Sequence, residues 1–167
     1  MATSLKNLSS YNSNQMPDAA DYRIGIVVSE WNTEITDALY KGAYKTLIDN
    51  GVNEENIIKQ DVPGTFELTL GAQLMAENFN LDAILVLGCV IQGETRHFDF
   101  ICQGVTYGIT KLNIKYDMPI IFGVLTTDNM QQAQDRAGGK HGNKGDEAAI
   151  TALKMVDMKR KVRNGLK

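Results

Sequence analysis

The sequence predicts an α/β fold in which a four-stranded parallel sheet lies between two layers of helices. Three observations carry that prediction. The apolar runs Ile24 to Val28 and Ala83 to Ile91 are continuous rather than alternating, as in strands covered on both faces. Segments of helical period stand between such runs. Strand and helix alternate along the chain, which implies βαβ units with right-handed crossovers.

Each element follows in order. Residues 1–20 form a polar arm rich in Ser and Asn, a flexible tail unless something pins it. The ordered domain, residues 21–161, opens with a strand from Arg23 to Ser29. Ile35, Leu39, Ala43 and Leu47 recur at every fourth position and mark a helix, which Asn50-Gly51 stops. Ile57 to Val62 is a second strand, ended by Pro63-Gly64. Phe66 to Asn78 reads as a helix with Leu70 and Leu74 facing inward. Ala83 to Ile91 is the third strand. His97 to Tyr116 is a helix with Phe98, Ile101, Cys102, Val105, Ile109 and Leu112 on one stripe. Pro119 precedes a fourth strand, Ile120 to Leu125. Asn129 to Ala137 is a short helix, a glycine-rich loop follows, and Asp146 to Lys161 is the last helix. Residues 162–167 make a basic tail. Four strands are too few for an eight-stranded barrel, so the expected architecture is a flavodoxin-like three-layer sandwich.

Composition narrows the function classes. The 167 residues suit one domain, and 43% hydrophobic with 22% charged residues argue against whole-chain disorder. Seventeen Lys+Arg against 20 Asp+Glu leave a net charge of −3, with no overall basic excess to recruit nucleic acid or anionic lipid. The basic run Lys159-Arg160-Lys161 fits neutralisation of a helix end, with RNA binding as a weaker alternative. The longest apolar run, Ala83 to Ile91, falls well short of the ~20 residues of a membrane helix. No hydrophobic stretch precedes Tyr22, which argues against a secretory signal. Cys89 and Cys102 lack CxxC spacing, and His97 and His141 stand far apart, so no metal site is expected. These features describe a cytoplasmic domain with two buried thiols.

Ligands of open parallel sheets bind beyond the carboxyl ends of the strands. Here those ends carry Trp31-Asn32, Thr65-Phe66-Glu67, Val90 and Ile91 followed by Gly93-Glu94-Thr95 and His97, and Thr126-Thr127. The first βα turn has no glycine, which excludes the GxGxxG fingerprint. Gly138 to Gly145 fails GxxxxGK[ST] in spacing and final hydroxyl. Gly93-Glu94-Thr95 opens a helix, where free N–H groups attract phosphate, although Thr95 equally serves as a plain N-cap. His97 is either a proton shuttle or a surface histidine without a task. Arg136 is a phosphate clamp or a helix-end charge. Trp31 stacks on a planar ligand or packs against protein. Glu67 is a ligand contact or an early-helix charge, and Phe122, inside a strand, reads as core.

Several of these segments, in register, resemble the lumazine synthase family of riboflavin biosynthesis. Trp31-Asn32 with Ile35 is similar to the family's aromatic-Asn-x-x-Ile. Val62-Pro63-Gly64-Thr65-Phe66-Glu67 resembles V-P-G-[SA]-F-E. Gly88 to Phe100 is similar to G-x-V-I-x-G-x-T-x-H-[FY]-[DE]-[FY]. Phe122-Gly123-Val124-Leu125-Thr126, Arg136-Ala137-Gly138 and Gly142-Asn143-Lys144-Gly145 continue the pattern. The resemblance spans about Tyr22 to Lys161.

The resemblance implies condensation of 5-amino-6-(D-ribitylamino)uracil with 3,4-dihydroxy-2-butanone 4-phosphate, without metal or organic cofactor. Trp31 would stack on the pyrimidine, and Asn32 with the backbone around Val90 and Ile91 would bind its edge. Thr65, Phe66 and Glu67 would hold the ribityl chain and ring. Gly93, Glu94 and Thr95 would cradle the phosphate with Arg136, and His97 would move protons. Phe122 and Lys144 would come from a neighbouring subunit. Trp31 replaces the commoner Phe, Thr65 replaces Ser or Ala, and Thr69 stands where Pro is usual. The resemblance also implies pentamers with active sites at subunit interfaces. The short loop Gly138 to Gly145 resembles that of members whose pentamers build an icosahedral shell. The rival reading is a non-catalytic flavin-binding or shell-forming member of the same scaffold.

Overall fold

A computed structural model describes residues 7, 9–12 and 16–165. The remainder of the polar arm and the last two residues of the basic tail lie outside the described residues.

Strand β1 (Ile24–Ser29) is buried at every position and forms the spine of the sheet. It pairs in parallel with β2 (Ile57–Val62) on one side and β3 (Ala83–Ile91) on the other. Strand β4 (Ile120–Thr127) completes the order β2-β1-β3-β4, also in parallel. The edge strand β2 carries Lys59, Gln60 and Asp61, polar residues that discourage further strand pairing.

The helices divide between the two faces. Helices α1 (Thr33–Asp49) and α5 (Lys144–Arg163) cover one face, burying Leu39, Leu47, Ala149 and Leu153 against Ile26, Leu85 and Leu87. Helices α2 (Leu68–Asn78) and α3 (His97–Tyr116) cover the other, burying Leu68, Met75, Val105 and Ile109 against Val27, Ile84 and Val86. The alternation of β1 side chains between these two cores is the period of two that a doubly covered strand requires. The three-layer flavodoxin-like sandwich is therefore the observed architecture.

Several local expectations are revised. Leu70 and Leu74 do not face inward: they are 58% and 51% exposed, and the inner stripe of α2 is Leu68, Ala72 and Met75. Large apolar residues occur on both sides of this helix, so residue size alone misleads about its phase. In α3, Val105, Ile109 and Leu112 are buried, whereas Phe98, Ile101 and Cys102 are only half-buried. The short helix α4 (Met130–Gln134) ends early, and Ala137–Gly139 (β5) pairs with Gly142–Asn143 (β6) in a small antiparallel hairpin. Gly138 and Gly142 hold positive φ angles of 109° and 83° there, which is why glycine suits this turn.

The described part of the arm lies against the domain. Met16 packs on the α1/α5 core and Ala19 is fully buried in it. The backbone N–H of Asn143 donates to Ser9 Oγ at 3.0 Å. Asn143 also caps α5, accepting from the Gly145 N–H at 2.8 Å, and donates to the Ala38 carbonyl at 2.9 Å. The C-terminal basic run is occupied by ion pairs. Arg160 grips Asp21 at 2.9 Å and Asp82 at 3.2 Å and lies over the Tyr22 ring, while Lys161 pairs with Asp157 at 2.7 Å. These pairings give the run a structural task.

Candidate active site

A cleft of about 700 Å³ opens at the carboxyl ends of β1, β2 and β3, on the α2/α3 side of the sheet. Trp31, Asn32, Thr65, Phe66, Glu67, Val90, Ile91 and His97 all line it. Four further lining residues, Gly64, Cys89, Phe100 and Ile101, were not assigned to the site from sequence. Phe100 and Ile101 follow His97 on the first turn of α3, so that turn's helical phase was the signal for them.

The β1–α1 turn holds Trp31 in place. Asn32 takes the left-handed conformation, φ 60° and ψ 47°, which Asn tolerates better than most residues. Its Nδ2 donates to the Cys89 carbonyl at 2.9 Å, while the Trp31 N–H donates to the Pro63 carbonyl at 3.2 Å. The turn is thus tied to the ends of β3 and β2. Trp31 itself is 72% exposed, a rigid apolar plate without core packing. Glu67 Oε2 lies beside the Gly64 backbone on the same flank as the Trp31 ring, with a Cβ built on Gly64 falling 2.8 Å from one and 3.4 Å from the other.

His97 opens α3 and is exposed to the cleft. Its backbone N–H donates to Thr95 Oγ1 at 3.4 Å, but Thr95 is not the cap expected from sequence, because Arg96 occupies the N-cap position and makes no side-chain cap hydrogen bond. Gly93, Glu94 and Thr95 form the exposed approach to that helix but do not line the cleft. Burial pushes the Cys89 thiol up to about 11, so it is protonated at neutral pH.

Arg136, Phe122 and Lys144 are not brought into this cleft. Arg136 is half-buried after α4, its Nη1 donating to the Gln132 carbonyl at 2.9 Å. Phe122 packs against the α2/α3 core from β4. Lys144 starts α5, on the opposite layer, and pairs with Glu147 at 2.7 Å.

A planar aromatic, a carboxylate and an imidazole around one cleft, at the strand ends of an open parallel sheet, mark a flavodoxin-like α/β protein with a candidate small-molecule site. Comparison with known proteins makes the class particular. Residues 21–160 match the sequence profile of 6,7-dimethyl-8-ribityllumazine synthase. The chain is 60% identical over 157 residues to the 6,7-dimethyl-8-ribityllumazine synthase of Parabacteroides distasonis, covering 94% of this chain and 98% of that one. It is 62% identical over 156 residues to the protein of the same name from Cytophaga hutchinsonii, covering 93% and 98%. The counterpart in Porphyromonas gingivalis is 58% identical over 160 residues, covering 96% and 99%. This chain belongs to the 6,7-dimethyl-8-ribityllumazine synthase family.

Proposed function

We propose that this chain is a transferase that condenses 5-amino-6-(D-ribitylamino)uracil with 3,4-dihydroxy-2-butanone 4-phosphate to 6,7-dimethyl-8-ribityllumazine, in riboflavin biosynthesis. The observation that carries the reading is the cleft itself, where Trp31, Glu67 and His97 converge on one space. The ring amine attacks the ketone and an imine forms with loss of water. Orthophosphate is then eliminated, and the second nitrogen closes the ring with loss of another water. Both C–N bonds form between groups that must first be held side by side, which is a positioning task. Trp31 stacks on the pyrimidine, Asn32 and the Val90-Ile91 backbone meet its edge, and Thr65, Phe66 and Glu67 hold the ribityl chain. His97 carries protons at the reacting atoms. Gly93, Glu94 and Thr95 receive the phosphate, with Arg136 supplying a fixed cation for the leaving group.

The resemblance assigns Phe122 and Lys144 to the cleft of an adjacent subunit, and because Arg136 also lies outside its own chain's cleft, we extend that assignment to Arg136. Lys144 starts a helix on the layer opposite α2 and α3, which supports contact between chains rather than within one. Outward-facing Leu70 and Leu74 on α2, with Phe100, Tyr107 and Ile114 at seven-residue steps along α3, give the subunit a broad apolar face. A cyclic pentamer, repeating one heterologous contact, covers that face and completes each site. The short β5–β6 hairpin agrees with the form found in members whose pentamers assemble into icosahedral shells, and we extend the reading to such a shell in the cytoplasm. Among the described residues, no helix is long and apolar enough to cross a membrane.

Mixing the two substrates with purified protein tests the reaction. Fluorescent dimethylribityllumazine should appear with one equivalent of orthophosphate. Tight binding of a lumazine or flavin without turnover would instead support the non-catalytic reading.

A further inference from the structure

We propose that the N-terminal arm is a positioning element of the shared active site: Ser9 holds in place the β5–β6 hairpin that carries Arg136 and Lys144 toward the neighbouring subunit. The inference rests on the proposed function and adds to it a residue that touches neither substrate.

Arg136 and Lys144 bracket the hairpin, one just before β5 and one just after β6, and the Lys144 N–H donates to the Arg136 carbonyl at 2.8 Å. That bond makes Ala137 and Asn143 a pair that exchanges no hydrogen bond, so the Asn143 N–H points out of the hairpin, away from β5. Ser9 Oγ accepts it at 3.0 Å, across 134 positions of sequence. Asn143 is only 9% exposed, and an N–H so sheltered needs a partner from the protein. The Asn143 side chain is committed elsewhere, its Oδ1 to the Gly145 N–H and its Nδ2 to the Ala38 carbonyl. The arm therefore holds the residue next to Lys144 from the side that α1 and α5 leave open.

The arm is itself fixed at several points. The Ser9 N–H donates to Asn7 Oδ1 at 2.8 Å, and the Ser10 N–H to the Asn7 carbonyl at 3.2 Å, a local turn that orients the Ser9 side chain. The Tyr11 hydroxyl accepts from Asn50 Nδ2 at 3.0 Å, at the end of α1. Farther along, Met16 and Ala19 enter the α1/α5 core. Removing the Ser9 hydroxyl leaves the hairpin its bonds to α1 and α5, so the fold persists. What goes is one restraint beside two side chains that must reach across a subunit boundary. Misplacing such groups by about 1 Å costs catalysis well before it costs folding.

Full-length chains reassembled as hybrids of His97→Ala and Arg136→Ala subunits test this. Every complete site in such a hybrid takes His97 from the Arg136→Ala chain and Arg136 from the His97→Ala chain. Ser9→Ala added to the His97→Ala chain should lower kcat/KM for 3,4-dihydroxy-2-butanone 4-phosphate by about three- to tenfold, the worth of one neutral hydrogen bond. Ser9→Thr on the same chain keeps a hydroxyl and should restore most of the loss. Ser9→Ala placed on the Arg136→Ala chain should match the parent hybrid, because that chain's hairpin serves no complete site. Equal loss from both placements would make Ser9 a residue of general stability and overturn the proposal, as would no loss from either. Parent hybrids without recovered turnover, beside an active wild-type protein, would overturn the shared site and this inference with it. A wild-type protein without turnover would overturn the proposed function itself.

Discussion

Asn32 and Cys89 stand 57 residues apart, yet the Asn32 amide donates to the Cys89 carbonyl at 2.9 Å and joins the first βα turn to the end of β3. The bond and the left-handed backbone act together. The turn must bend sharply to leave Trp31 projecting over the cleft, and the amide meets the Cys89 carbonyl just beyond the last β1–β3 pair. A residue expected from sequence to meet the substrate thus also shapes the site before any substrate arrives.

That double role separates two variants. Asn32→Gly keeps the left-handed turn and loses the bond, so it should destabilise the fold by about 1 kcal/mol in urea unfolding. Asn32→Ala loses both and should cost a further ~1 kcal/mol. Equal stability of the two variants would show that the backbone conformation contributes nothing.

His97→Ala should slow turnover by about 10²–10⁴ and leave product affinity nearly intact, because the imidazole is exposed on the cleft rim and packs no core. Steady-state kinetics with an independent binding titration separate these quantities. Unchanged turnover would remove His97 from the proton-transfer role.

The Cys89 thiol titrates at about 11 in the fold against an ordinary 9.0, because burial disfavours the thiolate. Its folded value is raised, so the folded state holds its proton more tightly. The contribution is fully present below pH 9 and is lost as pH rises toward 11. Relative to Cys89→Ala, the wild-type protein should therefore lose stability across that window and show no difference in slope between pH 6 and 8. The same burial should keep Cys89 slow to alkylate at pH 7.5 in the folded protein.

Ile114 is 79% exposed, more than any other large apolar side chain among the described residues. Replacing it with Glu places a charge in the proposed pentamer contact. Native mass measurement should then find smaller species, with turnover falling as the assembly does. A monodisperse pentamer in the Ile114→Glu protein would place this face outside the interface.

The parts of the molecule that were legible in the sequence share a physical reason. Strands such as Ala83 to Ile91 are apolar on both faces because helices cover both, and that run is hard to mistake. The cleft residues were legible because a parallel sheet gathers its βα loops at one end, so Trp31, Glu67 and His97 could be grouped without coordinates. Helix phase was less legible. Leu70 and Leu74 belong to a face left outward, and nothing in one chain's periodicity distinguishes a core from a surface that another subunit covers. Phe100 was within reach of the sequence, since α3 begins at His97 as expected and Phe100 follows it by three positions on the same side.

The central claim is that this cleft makes dimethylribityllumazine with help from a neighbouring chain, and a hybrid-subunit assay tests it most directly. His97→Ala and Arg136→Ala proteins, each nearly inactive alone, are unfolded together in equal amounts and reassembled. If each site takes His97 from one subunit and Arg136 from the next, about a quarter of the sites in random cyclic hybrids carry both, and about a quarter of wild-type turnover should return. Hybrids no more active than the two variants assembled separately would contradict the shared site.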